Sequence, residues 1–157
     1  MFEHVFTEYG ETLLRLVAAM LGGAMIGLNR FLRQKAVGLR THGLVALGTA
    51  MATLLMVQLP DNDAQAVSRV IQGLVTGVGF IGAGVIMRSD GNRVHGLTTA
   101  AAIWTSAIVG IACGLGDFNI CIAAVVLALL LLMVGRPVER GVARLLRSEA
   151  AEREEDD

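Results

Sequence analysis

The side chains able to do chemistry in this chain are few, and they gather at the ends of long uncharged stretches. Asn29 and Arg30 close the first stretch, Arg40, Thr41 and His42 open the second, Arg88 follows the third, and His95, Thr98 and Thr99 open the fourth. Guanidinium groups and free helix N–H groups favour oxyanions, so this set suits a cationic, hydrogen-bonding pocket for a phosphate or a carboxylate. The same residues also fit a plainer role, in which Thr41 and Thr98 cap helices and the arginines touch lipid headgroups. Metal binding is not expected: His42 and His95 have no Cys, Asp or Glu at ligand spacing, and no carboxylate falls inside the uncharged stretches where magnesium would need one or two. No Ser, His and acid set, Walker loop or H-E-x-x-H is present, so no catalytic residue, no cofactor and no enzyme activity is expected. Cys113 and Cys121 are the only two cysteines. They are expected to be buried thiols, with a disulfide across the turn at Asp117 as the alternative. Gly77, Gly79 and Gly82 spell G-x-G-x-x-G, but within an uncharged stretch with no strand before it, so the motif reads as helix-packing surface and not as a dinucleotide site.

What positions these residues is a membrane-spanning scaffold. Of 157 residues, 54% are hydrophobic and only 17% charged. Soluble domains carry about 25% charge, and a disordered chain could not leave so much apolar surface in water. Stretches without any charge run over residues 16 to 29, 41 to 60, 70 to 87, 96 to 116 and 118 to 135. About 20 apolar residues cross a hydrocarbon core as helix, so four of these span unaided. The first spans if it begins near Thr12 and keeps Arg15 at one membrane surface, where Glu11, four residues earlier, pairs with it and the long side chain snorkels. The amino end holds Glu3, Glu8 and Glu11 and no Lys or Arg, which is unlike a signal peptide.

The expectation is therefore an all-α polytopic membrane protein: a five-helix transmembrane domain over residues 1–135, with helices at about 12–28, 42–60, 70–87, 97–116 and 118–135. Residues 136–157 are expected to follow as a cytoplasmic tail. Five spans put the termini on opposite sides. Eleven Lys and Arg residues fall on one side, in the first loop, the third loop and the tail, against Arg69 alone on the other. The positive-inside rule then places the amino end outside and the carboxyl end in the cytoplasm. Acidic residues deepen the asymmetry to a formal −5 outside and +3 inside, which with the interfacial Arg15 make up the total of −1.

Small residues set how the spans pack. Gly23 and Gly27, Gly73 and Gly77, and Gly110 and Gly114 each form a G-x-x-x-G, Ala46 and Ala50 make a weaker version, and Gly82 and Gly84 extend the Gly73 and Gly77 set. Hydrophobicity does not drive helices together in lipid, so such faces mark close backbone approach, within one chain or between two copies of a dimer. In the tail, Val138, Val142, Leu145 and Leu146 form an apolar stripe, and Arg136, Arg140, Arg144 and Arg147 a basic one. That pattern reads as a short helix lying on anionic lipid, followed by a solvated acidic end.

Four blocks in order, LGGAMIGLNR (21 to 30), GLRTHGLVALGTA (38 to 50), GLVTGVGFIGAGVIMR (73 to 88) and GLTTAAAIWTSAIVGIACGLG (96 to 116), resemble the MgtC/SapB family of bacterial inner-membrane proteins. The resemblance implies five transmembrane helices with a cytoplasmic carboxyl end. It also implies a role in growth at low magnesium and in virulence, through restraint of the ATP synthase instead of magnesium carriage. Two positions depart from the family pattern: Asn29 stands where members commonly carry Glu, and Thr98 where the virulence-associated members carry Asn. Longer members add a soluble domain after the fifth helix, and this chain is expected to be a short member without it. The function expected is a non-enzymatic, multi-pass inner-membrane protein, dimeric, modulating magnesium or phosphate homeostasis and membrane energetics through lipid contact and another inner-membrane protein complex. No nucleic acid partner is expected. A small ion transporter or channel is the alternative.

Overall fold

The computed structural model describes residues 2–59, 64–89 and 93–155, and side chains within 8–59, 64–86 and 94–146. Five helices, α1 (Phe2–Leu32), α2 (Leu39–Val57), α3 (Ala64–Val85), α4 (Leu97–Leu115) and α5 (Phe118–Glu155), are joined by turns and by one hairpin. The hairpin pairs β1 (Met87–Ser89) with β2 (Arg93–His95), antiparallel, between α3 and α4. All five helices are long and apolar enough to cross a membrane. Even the 19-residue helices α2 and α4 reach about 28 Å at the helical rise, which matches a hydrocarbon core of about 30 Å.

Helix ends differ from the sequence expectation in a consistent way. Charge marks where a helix may leave lipid, not where its hydrogen bonds stop, so α1 begins ten residues earlier than expected and α5 does not end at 135. Instead α5 continues as one helix across Pro137, where a basic surface helix separate from the fifth span was expected. Proline removes one N–H and crowds the preceding turn, but the flanking Arg, Glu, Ala and Leu residues are strong helix formers. The α4–α5 turn is set by Gly116, which closes α4 in the left-handed region at φ 85° and donates to Cys113 O at 3.0 Å. Asp117 then accepts from the Ile120 N–H at 3.0 Å and caps α5.

The helices divide into a central trio and an outer pair. Along α1 and α2, Gly23 and Gly27 let the backbones meet: a Cβ on Gly23 would lie 2.6 Å from that of Ala46, and one on Gly27 2.7 Å from the Leu39 Cα. Between α2 and α4 the seam runs Ala46, Thr49, Ala50 and Thr53 against Ala107, Gly110 and Gly114; a Cβ on Gly110 would collide with the Ala46 carbonyl, and one on Gly114 would sit 2.7 Å from the Ala50 carbonyl. Ala19, Ile26, Ala50, Val109 and Cys113 fill the core between these three helices, and Cys121 and Val125 bring α5 against it. α3 leans on α4 through Val78, Ile103 and Ala107, with Gly82 in ordinary contact with Ala100. Large apolar side chains point outward on the bundle, Phe80 and Leu131 among the most exposed. An apolar surrounding is what such a surface requires.

Candidate functional site at the basic end

The end of the bundle where α1 and α3 finish and α2 and α4 begin carries the polar cluster. Arg30 lies in the last turn of α1, the favourable place for a cation on the helix dipole. Although charged, it is only 4% exposed, and its Nη2 donates to Thr99 Oγ1 on α4 at 2.7 Å. Thr99, buried in the first turn of α4, is held there by Gly96. Gly96 caps α4 at φ 93°, and a Cβ there would run into the Val85 carbonyl of the α3 end. Only glycine meets both demands.

His42 reaches the same region from α2. It is fully buried, and its Nδ1 lies 2.9 Å from Gly38 O. A carbonyl only accepts, so Nδ1 carries the proton and the neutral ring leaves Nε2 as an acceptor. Among the described residues that Nε2 has no partner, nor do Arg30 Nε and Asn29 Oδ1, all three of them buried. Two further charges are felt in the cluster, Arg33 and Arg136 acting on Arg30, and Arg30 in turn acts on His42. Among the described residues no carboxylate pairs with Arg30; the ion pair there is Arg15 with Glu11, at the opposite end. Buried polar groups are nearly always satisfied, so a guanidinium with one side-chain bond beside an orphaned imidazole is a focal point for function.

The residues expected to act together thus separate. Arg30, His42 and Thr99 converge, with Asn29 next to Arg30 in the chain. Arg40 and Thr98 are exposed and stand outside this buried group. Thr41 joins Leu44, Gly48, Leu74, Val78 and Ile81 around a groove of about 350 Å³ between α2 and α3. Neither Thr41 nor Thr98 caps its helix; Gly38 and Gly96 occupy those places without a side-chain bond. Arg88 falls in β1 opposite Val94, and its side chain lies outside the described residues, as does that of Arg147. Arg136, Arg140 and Arg144 are exposed along α5.

The glycines separate as well. Gly23, Gly27, Gly110 and Gly114 are packed against neighbouring helices, whereas an added Cβ on Gly73, Gly77 or Gly84 meets nothing within 4 Å. Among the described residues nothing packs on these last three positions, and α3 presents them outward beside Phe80, which is 83% exposed.

Some side chains matter more than their sequence context suggested. Thr49 Oγ1 lies within hydrogen-bond distance of Val45 O and Ala46 O on its own helix and of Ala107 O on α4, at 3.0, 3.1 and 3.0 Å. The clue lay in the match between Ala46-x-x-x-Ala50 and Gly110-x-x-x-Gly114, two small-residue faces that Thr49 and Thr53 border. Arg15 is more than a lipid-surface anchor. Besides Glu11 it donates to Gly114 O at 3.0 Å, so it caps the closing turn of α4. It borders a pocket of about 680 Å³ shared with Glu8, Tyr9, Thr12 and Gln58. Cys113 and Cys121 are free and buried, their sulfurs 2.9 Å apart.

The sequence matches the MgtC family over residues 16–141. Protein MgtC of Salmonella typhi is 44% identical over 142 residues, covering 90% of this chain and 59% of that protein. Protein MgtC of Salmonella typhimurium strain LT2 is also 44% identical, with 54% of its length covered. Protein SrpB of Synechococcus elongatus is 42% identical over 132 residues, covering 74% of this chain and 72% of that one. The chain spans a little over half the length of the MgtC relatives it matches. No solved structure matches it. With five membrane-spanning helices and a family match that takes in the middle three whole and most of the first and fifth spans, this chain is a multi-pass membrane protein belonging to the MgtC family.

Proposed function

We propose that this protein is a non-enzymatic regulator in a bacterial inner membrane, a homodimer that modulates magnesium or phosphate homeostasis and membrane energetics by touching another membrane protein. The observation that carries this reading is the open face of α3. Gly73, Gly77 and Gly84 are a surface built for close helix approach, yet among the described residues nothing packs on it. In lipid, such small-residue faces gain their contacts from a second helix, and a transmembrane helix of the partner is the occupant of this one. The family relationship and the 44% identity to Salmonella MgtC support the physiological setting. By resemblance, an ATP synthase-like complex is the kind of partner meant. Eleven basic residues on one side against Arg69 on the other support an external amino end and a cytoplasmic carboxyl end.

The test is capture in native membranes at native expression. Wild type should retain a membrane partner after crosslinking, and Gly77→Leu should lose it while keeping its thermal melt. A protein that neither self-associates nor retains any membrane protein sinks the reading. Flux of magnesium, protons or phosphate into proteoliposomes, abolished by Gly77→Leu, would favour a transporter instead. Reporters fused at the two ends check the orientation independently.

A further inference from the structure

We propose that Arg30, His42 and Thr99 form the floor of a binding site for a phosphate oxyanion at the basic end of the bundle. Two of these residues keep an unmet hydrogen-bonding atom in a buried position, and the two atoms differ in kind. Arg30 Nε–H is a donor, and His42 Nε2, with its proton committed to Gly38 on the other nitrogen, is an acceptor. A bare carboxylate would satisfy only the guanidinium. Hydrogen phosphate satisfies both, because it offers anionic oxygens to Arg30 and a P–O–H to His42. A phospholipid headgroup does the same when its phosphodiester is followed by a hydroxylated alcohol such as glycerol. Thr99 Oγ1 accepts from Arg30 Nη2 and so keeps its own proton for an oxyanion.

Electrostatics points the same way. Arg33, just past the end of α1, and Arg136 on α5 both add positive potential at Arg30. Among the described residues no carboxylate forms an ion pair with any of the three. The charges of Arg33 and Arg136, from two distant parts of the chain, thus act on Arg30 at one end of the bundle, and like charges acting on one another favour an anion there. Arg30 is buried while Arg136 is exposed, so the proposed site would have its floor inside the bundle and its mouth at the rim. That depth suits the phosphate level of a bilayer leaflet as well as an ion arriving from water.

The experiment uses the full chain, purified in a neutral detergent. Thermal melts are recorded in sodium phosphate and in sodium chloride at matched ionic strength. Native mass spectrometry then compares retention of phosphatidylglycerol with retention of phosphatidylcholine. Wild type is expected to be stabilised by phosphate over chloride, to retain phosphatidylglycerol over phosphatidylcholine, or both; the first identifies a free ion as the source and the second a lipid. Arg30→Met should weaken binding by about tenfold or more, the scale of one charge-assisted hydrogen bond. Arg136→Gln should weaken it by about two- to fivefold, as a partly screened charge at the mouth does. Arg140→Gln, one turn further along α5, should leave it unchanged. If wild type shows neither preference, or if Arg136→Gln and Arg140→Gln lose binding equally, the site is overturned. Should Arg30→Met fail to fold, the difference between the two α5 variants decides.

Discussion

The trio of α1, α2 and α4 and the outer pair of α3 and α5 contain the same residue types and use them for opposite ends. In the trio, the G-x-x-x-G glycines are consumed: Gly23, Gly27, Gly110 and Gly114 lie against neighbouring backbones, and hydroxyls such as that of Thr49 bridge what the glycines bring close. In α3, an equally strong G-x-x-x-G faces away from the chain. A motif that means internal packing on one helix therefore means available surface on another. Within a membrane the distinction is set by which helices the connections bring together, because apolar character is shared by all of them.

Mutation can sharpen or break that contrast. The largest effect belongs to Gly110→Val. Its new side chain would displace the α2 backbone at Ala46, so a loss of about 3 kcal/mol or more is expected, read as a collapsed thermal melt in detergent. Gly96→Ala comes next, at about 2 kcal/mol, because it forces a left-handed backbone on alanine and intrudes on the Val85 carbonyl. Its added signature is a disturbed basic end, visible as faster proteolysis near the hairpin. Thr49→Val keeps the shape of the seam but removes its hydroxyl, and about 1 kcal/mol should be lost. Gly77→Leu closes the series with a change below about 0.5 kcal/mol, since the added side chain meets nothing. A Gly77→Leu protein as unstable as Gly110→Val would erase the division between trio and outer pair.

Much of this fold is legible in the sequence, because the hydrocarbon core imposes one length and one pattern on every span. Five uncharged stretches became five helices for that reason. Helix ends were less legible: residues 2 to 11 and 136 to 155 keep helical hydrogen bonds in regions whose charge suggested departure from lipid. The site was legible by composition but not by membership. Arg30 and Arg40 look alike as basic residues at span ends, yet the position of Arg30 on the Gly27 side of α1 turns it inward to Thr99 while Arg40 stays exposed. Thr98 and Thr99 are neighbours of one type, and one helical step of about 100° separates an exposed side chain from a buried one. Gly73 and Gly110 could not be told apart at all from their own surroundings. What separates them is a third helix, supplied from far away in the chain.

Pro137 in the middle of α5 has a mechanical consequence. It offers no N–H to the carbonyl four residues before it, that of Met133, so the rod contains a joint whose bond is missing from the start. At the helical rise, 38 residues make a rod of about 57 Å, nearly twice the thickness of hydrocarbon. The joint sits one residue beyond Arg136, where the uncharged stretch ends and water can serve the spare carbonyl. Flexing there breaks no further hydrogen bond. The far half of α5 can swing as a boom without unseating the half that is packed on the bundle, and the pivot of that swing adjoins the arginine nearest to Arg30 on this helix.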